Sequence, residues 1–154
     1  RQMCIRDSNN RAASLLTWPL ARQWLPLVLG DNRNSEPRNA LHARFWTTTY
    51  PTTALLPIAA LVKTVMRADF SGVSFPVLFY YSRDDLVVDP TETAAFANGW
   101  GGAVAVIHPR LGDGDDKYAH VIAGDIVSPQ QTDFAVDEML RWLSTQQGWP
   151  ALGR

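Results

Sequence analysis

Three carboxylates stand within six residues in the stretch YSRDDLVVDP, residues 81–90: Asp84, Asp85 and Asp89. An aspartate just past an apolar run can orient a histidine. It fixes the imidazole tautomer and stabilises the imidazolium while the ring takes a nucleophile's proton. Three histidines are available, His42, His108 and His120. His120 closes the glycine- and aspartate-rich stretch RLGDGDDKYAH and is the one placed to meet such an aspartate. His42 sits near Phe45 and Trp46 and reads as a packing or surface residue. His108 ends an apolar run before Pro109 and reads as a strand-end residue. Asp89, followed by Pro90 and Glu92, has the pattern of a helix N-cap. Between the other two, Asp85 is slightly favoured, because Leu86, Val87 and Val88 can pin its loop onto a core. Two solvated loop charges are the plain alternative, and the residues by themselves leave it open.

These side chains need elements to hold them. SFPVLFYYS (74–82) reads as a strand apolar on both faces, the pattern of a central strand in a parallel sheet covered by helices. A helix follows from the Asp89 cap and stops at Gly99. GAVAVIHP (102–109) is a second strand. SPQQTDFAVDEMLRWLSTQQG begins a last helix, with Ser128 as cap, Gln131 as capping-box partner and an apolar stripe of Ala135, Met139, Trp142 and Leu143. Strand, helix, strand, loop, helix is part of a wound α/β sheet, which places its chemistry past the carboxyl ends of the strands. The loops 82–89 and 109–120 both lie there. Upstream, residues 11–70 form a helix-rich zone. A helix is expected over 15–30, with Leu16, Leu20, Trp24 and Leu27 on one face and Gly30 as its stop. DNRNSEPRN reads as a loop, ALHARFWTTTYP as a short helix closed by Pro51, and TALLPIAALVKTVMRAD as a helix with Pro57 near its first turn.

The chain has 154 residues, 46% hydrophobic and 19% charged, enough apolar content for a packed core. A net charge of −1 without a basic run gives no electrostatic footprint for nucleic acid. One cysteine, Cys4, excludes an intrachain disulfide framework. Residues 15–30 are interrupted by Arg22, Gln23 and two prolines, and residues 54–66 fall short of the roughly 20 apolar residues that a membrane span needs. The first eight residues, RQMCIRDS, resemble translated adaptor sequence from the ends of metagenomic assemblies. The terminus to about residue 10 is therefore expected to be non-native or frayed and the gene cut there, which removes any judgement on a signal peptide. Cytoplasm is the favoured compartment on that reading.

PVLFYYSRDDLVVDP, then HVIAGDIVSP, then a final amphipathic helix together resemble the carboxyl-terminal half of an α/β-hydrolase. The group most similar is the lysophospholipase, monoacylglycerol-lipase and serine-aminopeptidase-like one. Its acid loop runs aspartate, any residue, two aliphatics. Asp85-Leu86-Val87-Val88 matches that motif and Asp84 does not. His120 in HVIAGD matches the group's histidine, and HARFWTTTYPTTALLPIAALVK resembles the helical cap of a bacterial subset. The resemblance implies an α/β fold: a cap segment over 11–70 and the carboxyl-terminal part of a hydrolase sheet over 71–154. It also implies a serine hydrolase of carboxylic esters, lipid-like ones preferred, with Asp85 as acid and His120 as base. No cofactor or metal is implied, and the partner is a small-molecule ester.

The group's nucleophile is a serine in Gly-x-Ser-x-Gly on a strand-to-helix turn. No such motif occurs. The nearest, GVSFP (72–76), lacks the second glycine and leads into a strand, so Ser74 reads as linker. The expectation is a fragment that holds acid and base without the attacking group and is inactive by itself. A non-catalytic α/β-hydrolase relative that binds a ligand or partner is the alternative. A calcium site at Asp113, Asp115 and Asp116 lacks EF-hand spacing. A metal site of Asp85, His108 and His120 has no ligand-spacing motif. A nucleotide-binding sheet lacks a glycine-rich phosphate loop.

Overall fold

The computed structural model describes Trp18 and residues 20–146. The first eight residues, Cys4 and Leu16 therefore lie outside the described residues. The fold mixes helices with two small two-stranded sheets, and the chain divides into two compact units. One unit is Arg1–Ala68 with Val87–Glu92; the other is Asp69–Leu86 with Thr93–Arg154.

In the first unit, helix α1 (Ala21–Leu29) ends at Gly30, whose φ of 77° lies in the left-handed region that glycine occupies at little cost. Strand β1 (Asn32–Asn34) pairs antiparallel with β2 (Thr49–Pro51), and helix α2 (Ala40–Phe45) lies between them in sequence. A 3-10 turn (Thr52–Ala54) leads into helix α3 (Leu55–Val65). Three expectations change here. The loop at 31–39 contains β1. The helix after it stops at Trp46, whose extended backbone (φ −112°, ψ 138°) opens the approach to β2. Pro51 thus ends a strand and not a helix, a place where its missing N–H costs little.

The buried face of α1 also differs from the expected stripe. Ala21 and Leu25 are buried, at 5% and 1% exposure, whereas Leu20 and Leu27 are exposed. Ala21 and Leu25 are four apart and share a face, and that face is chosen by what meets it: the turn at 52–54 and β1. Thr52 seals this junction. It is fully buried, its N–H donates to the Asp31 carbonyl (2.8 Å), and its hydroxyl donates to the Gly30 carbonyl. Two acceptors just past the end of α1 are thereby satisfied without water.

In the second unit, β3 (Val77–Tyr80) and β4 (Val104–Ile107) pair in parallel, with Val77 opposite Val104 and Tyr80 opposite Ile107. Helix α4 (Pro90–Asn98) runs in sequence between them and belongs to this unit from Thr93 onward, and α5 (Thr132–Ser144) follows a 3-10 turn at Pro129–Gln131. The aromatic side chains join strand to helix. Phe96 of α4 meets Phe70 edge-on (4.8 Å between centroids) and Phe79 of β3 (6.0 Å). Trp100 stacks on Phe70 (5.7 Å) and donates its indole N–H to the Phe75 carbonyl (3.0 Å). Gly102 is needed where the chain returns for β4: a Cβ there would stand 2.2 Å from the Phe75 carbonyl oxygen.

The central-strand expectation is not met among the described residues, where β3 pairs with β4 alone and all four of its residues are half-buried. Tyr80 carries a cost of that position. Its hydroxyl is buried with no hydrogen-bond partner among the described residues, and burial raises its pKa above the ordinary phenol value. An unsatisfied hydroxyl loses water without compensation. Tyr80→Phe is therefore expected to leave stability unchanged or raise it by up to about 2 kcal/mol, read from the urea midpoint. A clear loss would mean that the hydroxyl has a partner.

The Asp89 cap forms with a variation. Its Oδ1 accepts the Thr91 N–H (2.9 Å) and the Thr91 hydroxyl (2.6 Å), one residue earlier than a capping box would place the bond. These two bonds hold the Asp89 carboxyl below its ordinary pKa. The cap's contribution is thus complete above the unfolded carboxyl value of about 3.9 and is lost as pH falls through the lowered folded value. The Thr91 amide shift in an NMR titration is expected to follow this low midpoint. A midpoint at or above the ordinary value would contradict the cap.

The cap expected at Ser128 is absent: its side chain makes no bond to the first turn, and the chain enters α5 through the 3-10 turn. Gln131 does not reach back either. Its side-chain N–H2 donates to the Arg110 carbonyl (3.1 Å) and to Asp115 Oδ2 (2.7 Å). Both side chains are drawn from local capping into the loop 109–120. Of the α5 stripe, Ala135 is buried, Trp142 and Leu143 are half-buried, and Met139 is exposed.

Candidate active site

Parallel pairing sets the site. Tyr80 and Ile107 are level partners, so the loops leaving β3 and β4 start from the same edge of the sheet. Asp85 lies five residues past the first strand and His120 thirteen past the second. Across 35 residues of sequence, His120 Nδ1 stands 2.7 Å from Asp85 Oδ2. Their side chains are 16% and 12% exposed, dry enough to strengthen the contact and open enough to reach solvent. Asp84 is exposed, and its N–H donates to the Ser82 hydroxyl (3.1 Å), which turns the chain just before Asp85.

A backbone bond keeps the two loops in register. The Leu86 N–H, next to Asp85, donates to the Tyr118 carbonyl (2.9 Å), two residues from His120. Carboxylate and ring are thus held by main chain as well as by their own contact. With the Nδ1 proton directed at Asp85, Nε2 is the nitrogen left with the lone pair and can act as a base.

The other candidates are placed elsewhere. His42 is buried in α2: its Nδ1 accepts the Arg38 N–H (3.0 Å), its own N–H donates to the Asn39 side chain (2.8 Å), and it packs edge-on against Trp46 (4.3 Å). Asn39 is the N-cap of α2, a signal that an asparagine before the first helical residue carries in the sequence. His108 Nδ1 lies 3.0 Å from the Tyr81 carbonyl and the rings of the two residues meet edge-on, so it ties the ends of β3 and β4 together. Ser74 is exposed in the segment leading into β3.

Of the aspartates in the calcium reading, Asp113 is exposed, and Asp115 and Asp116 serve the loop itself. Asp115 Oδ2 accepts the Gly112 N–H (2.9 Å) and the Gln131 amide. Asp116 is 5% exposed and faces main-chain N–H groups. Among the described residues no three His, Cys, Asp or Glu side chains come together as metal ligands. No described helix is long and apolar enough to cross a membrane. Comparison with family models, curated proteins and solved structures finds no match.

Proposed function

We propose that Asp85 and His120 are the acid and base of a Ser-His-Asp triad in a carboxylic-ester hydrolase of the α/β-hydrolase type. The observation that carries this reading is the 2.7 Å contact between His120 Nδ1 and Asp85 Oδ2 at the carboxyl edge of a parallel strand pair. The reading requires a nucleophilic serine, and no Gly-x-Ser-x-Gly marks one in these 154 residues.

In the reaction, His120 Nε2 takes the serine hydroxyl proton as Oγ bonds to the ester carbonyl carbon. The same proton then passes to the departing alkoxide, which leaves as the alcohol. Water repeats the cycle on the acyl-enzyme and releases the acid. Asp85 stays ionised and stabilises the imidazolium between the two transfers. The lysophospholipase and monoacylglycerol-lipase likeness favours a lipid-like ester.

The 154-residue chain alone is expected to show no ester hydrolysis above background and no labelling by a fluorophosphonate probe. The deciding experiment is that probe on the complete open reading frame. Labelling of a glycine-flanked serine that disappears in His120→Ala supports the hydrolase. A reading frame without such a serine, or labelling indifferent to His120, overturns it; the first outcome favours a ligand- or partner-binding relative.

A further inference from the structure

Asp116 is a buried carboxylate that the triad chemistry does not use. Its Oδ1 accepts the Tyr118 N–H (3.0 Å), an Asx-turn two residues long. Its Oδ2 accepts the Val121 N–H (2.9 Å) and the His120 N–H (3.3 Å). Its backbone carbonyl accepts the Ala119 N–H (2.7 Å). Four consecutive residues, 118–121, are thus tied to one aspartate, and His120 is among them.

The local backbone explains why such a tie is needed. Ala119 has φ +50°, in the left-handed region that costs a side-chain-bearing residue about 1–2 kcal/mol. Without compensation the segment before His120 would relax to an extended form and turn the imidazole away. Hydrogen bonds to a carboxylate are roughly twice as strong as neutral ones, and three of them outweigh that strain. Asp116 is itself held from α5's side of the loop. Its N–H donates to the fully buried Ser128 hydroxyl (2.9 Å), which donates onward to the Val121 carbonyl. Ser128, unused as a helix cap, closes the ring of bonds around the histidine segment.

We propose that Asp116, braced by Ser128, is the positioning residue that sets His120 against Asp85. The catalytic meaning rests on the triad reading above; the positioning itself does not. The test is NMR on the 154-residue chain with 15N-labelled histidine, following the hydrogen-bonded Nδ1 proton of His120. Asp116→Asn replaces one acceptor oxygen by a donor. It is expected to speed exchange of that proton with water by about tenfold or more, while the His108 ring signals stay unchanged. Asp115→Asn, in the same loop, is expected to leave the His120 proton as it was.

A merely structural role would disturb His108 and His120 together, and that result overturns the proposal. So does an unchanged His120 proton in folded Asp116→Asn. If Asp116→Asn does not fold, Ser128→Ala decides: selective loss at His120 supports positioning, and no change refutes it. A positive result alongside a reading frame that lacks the nucleophile would retain the positioning role and discard the hydrolase.

Discussion

If the proposed triad holds, Asp85→Asn is expected to cut ester turnover by about 10^4-fold. The amide can still accept from Nδ1–H through its oxygen, so the 2.7 Å contact survives in outline. What is lost is the charge that stabilises the imidazolium. An amide turned to present its N–H2 would also force the proton onto Nε2, the wrong tautomer for a base. Stability is expected to fall much less, by about 1.5–3 kcal/mol, the range for a single hydrogen bond to a charged group. Asp84→Asn is the matched control. Asp84 is exposed and one residue from the acid, so its variant is expected to stay within about twofold of the parent, equivalent to roughly 0.4 kcal/mol. Steady-state kinetics on a short-chain p-nitrophenyl ester reads both. If the large loss appears in Asp84→Asn instead, the acid has been misassigned.

Leu25→Ala is expected to destabilise the first unit by about 2–5 kcal/mol. Leu25 is 1% exposed and is among the largest fully buried side chains of the described residues. Truncation loses its transfer free energy and leaves a cavity between α1 and the turn at 52–54, which cannot close because Thr52 is fastened to Gly30 and Asp31. Against a total stability of about 5–15 kcal/mol for a whole domain, this is enough to melt α1 locally. Leu27→Ala, two residues on, is expected to change stability by no more than about 0.5 kcal/mol, because Leu27 is 86% exposed. Amide hydrogen exchange across α1 distinguishes them. Equal loss of protection in the two variants would place the buried face elsewhere.

Local chemistry is enough to read much of the chain after residue 70. Asp89, Pro90 and Gly99 mark both ends of α4 because caps act within one turn of backbone. The two apolar runs become β3 and β4, and aliphatics after Asp85 distinguish it from Asp84 before any contact is known. Asp85 and His120 could be named from a resemblance carried by their neighbours. Their distance could not, since it depends on which strands pair and in what register. One register step would move the loops apart along the edge, and only the level pairing of Tyr80 with Ile107 sets them side by side.

The same reason explains what local patterns get wrong. Ser128 and Gln131 have the letters of a capping box, but a buried loop offers their polar atoms better partners in Asp116, Val121, Arg110 and Asp115. Asp116 looks like one more acidic loop residue until its three backbone donors are seen. The stripe on α1 fails because an apolar helix with leucines on several sides does not say which side will be covered. That choice belongs to the turn at 52–54, more than twenty residues away, and burial energy follows the area removed from water, not the pattern that offers it.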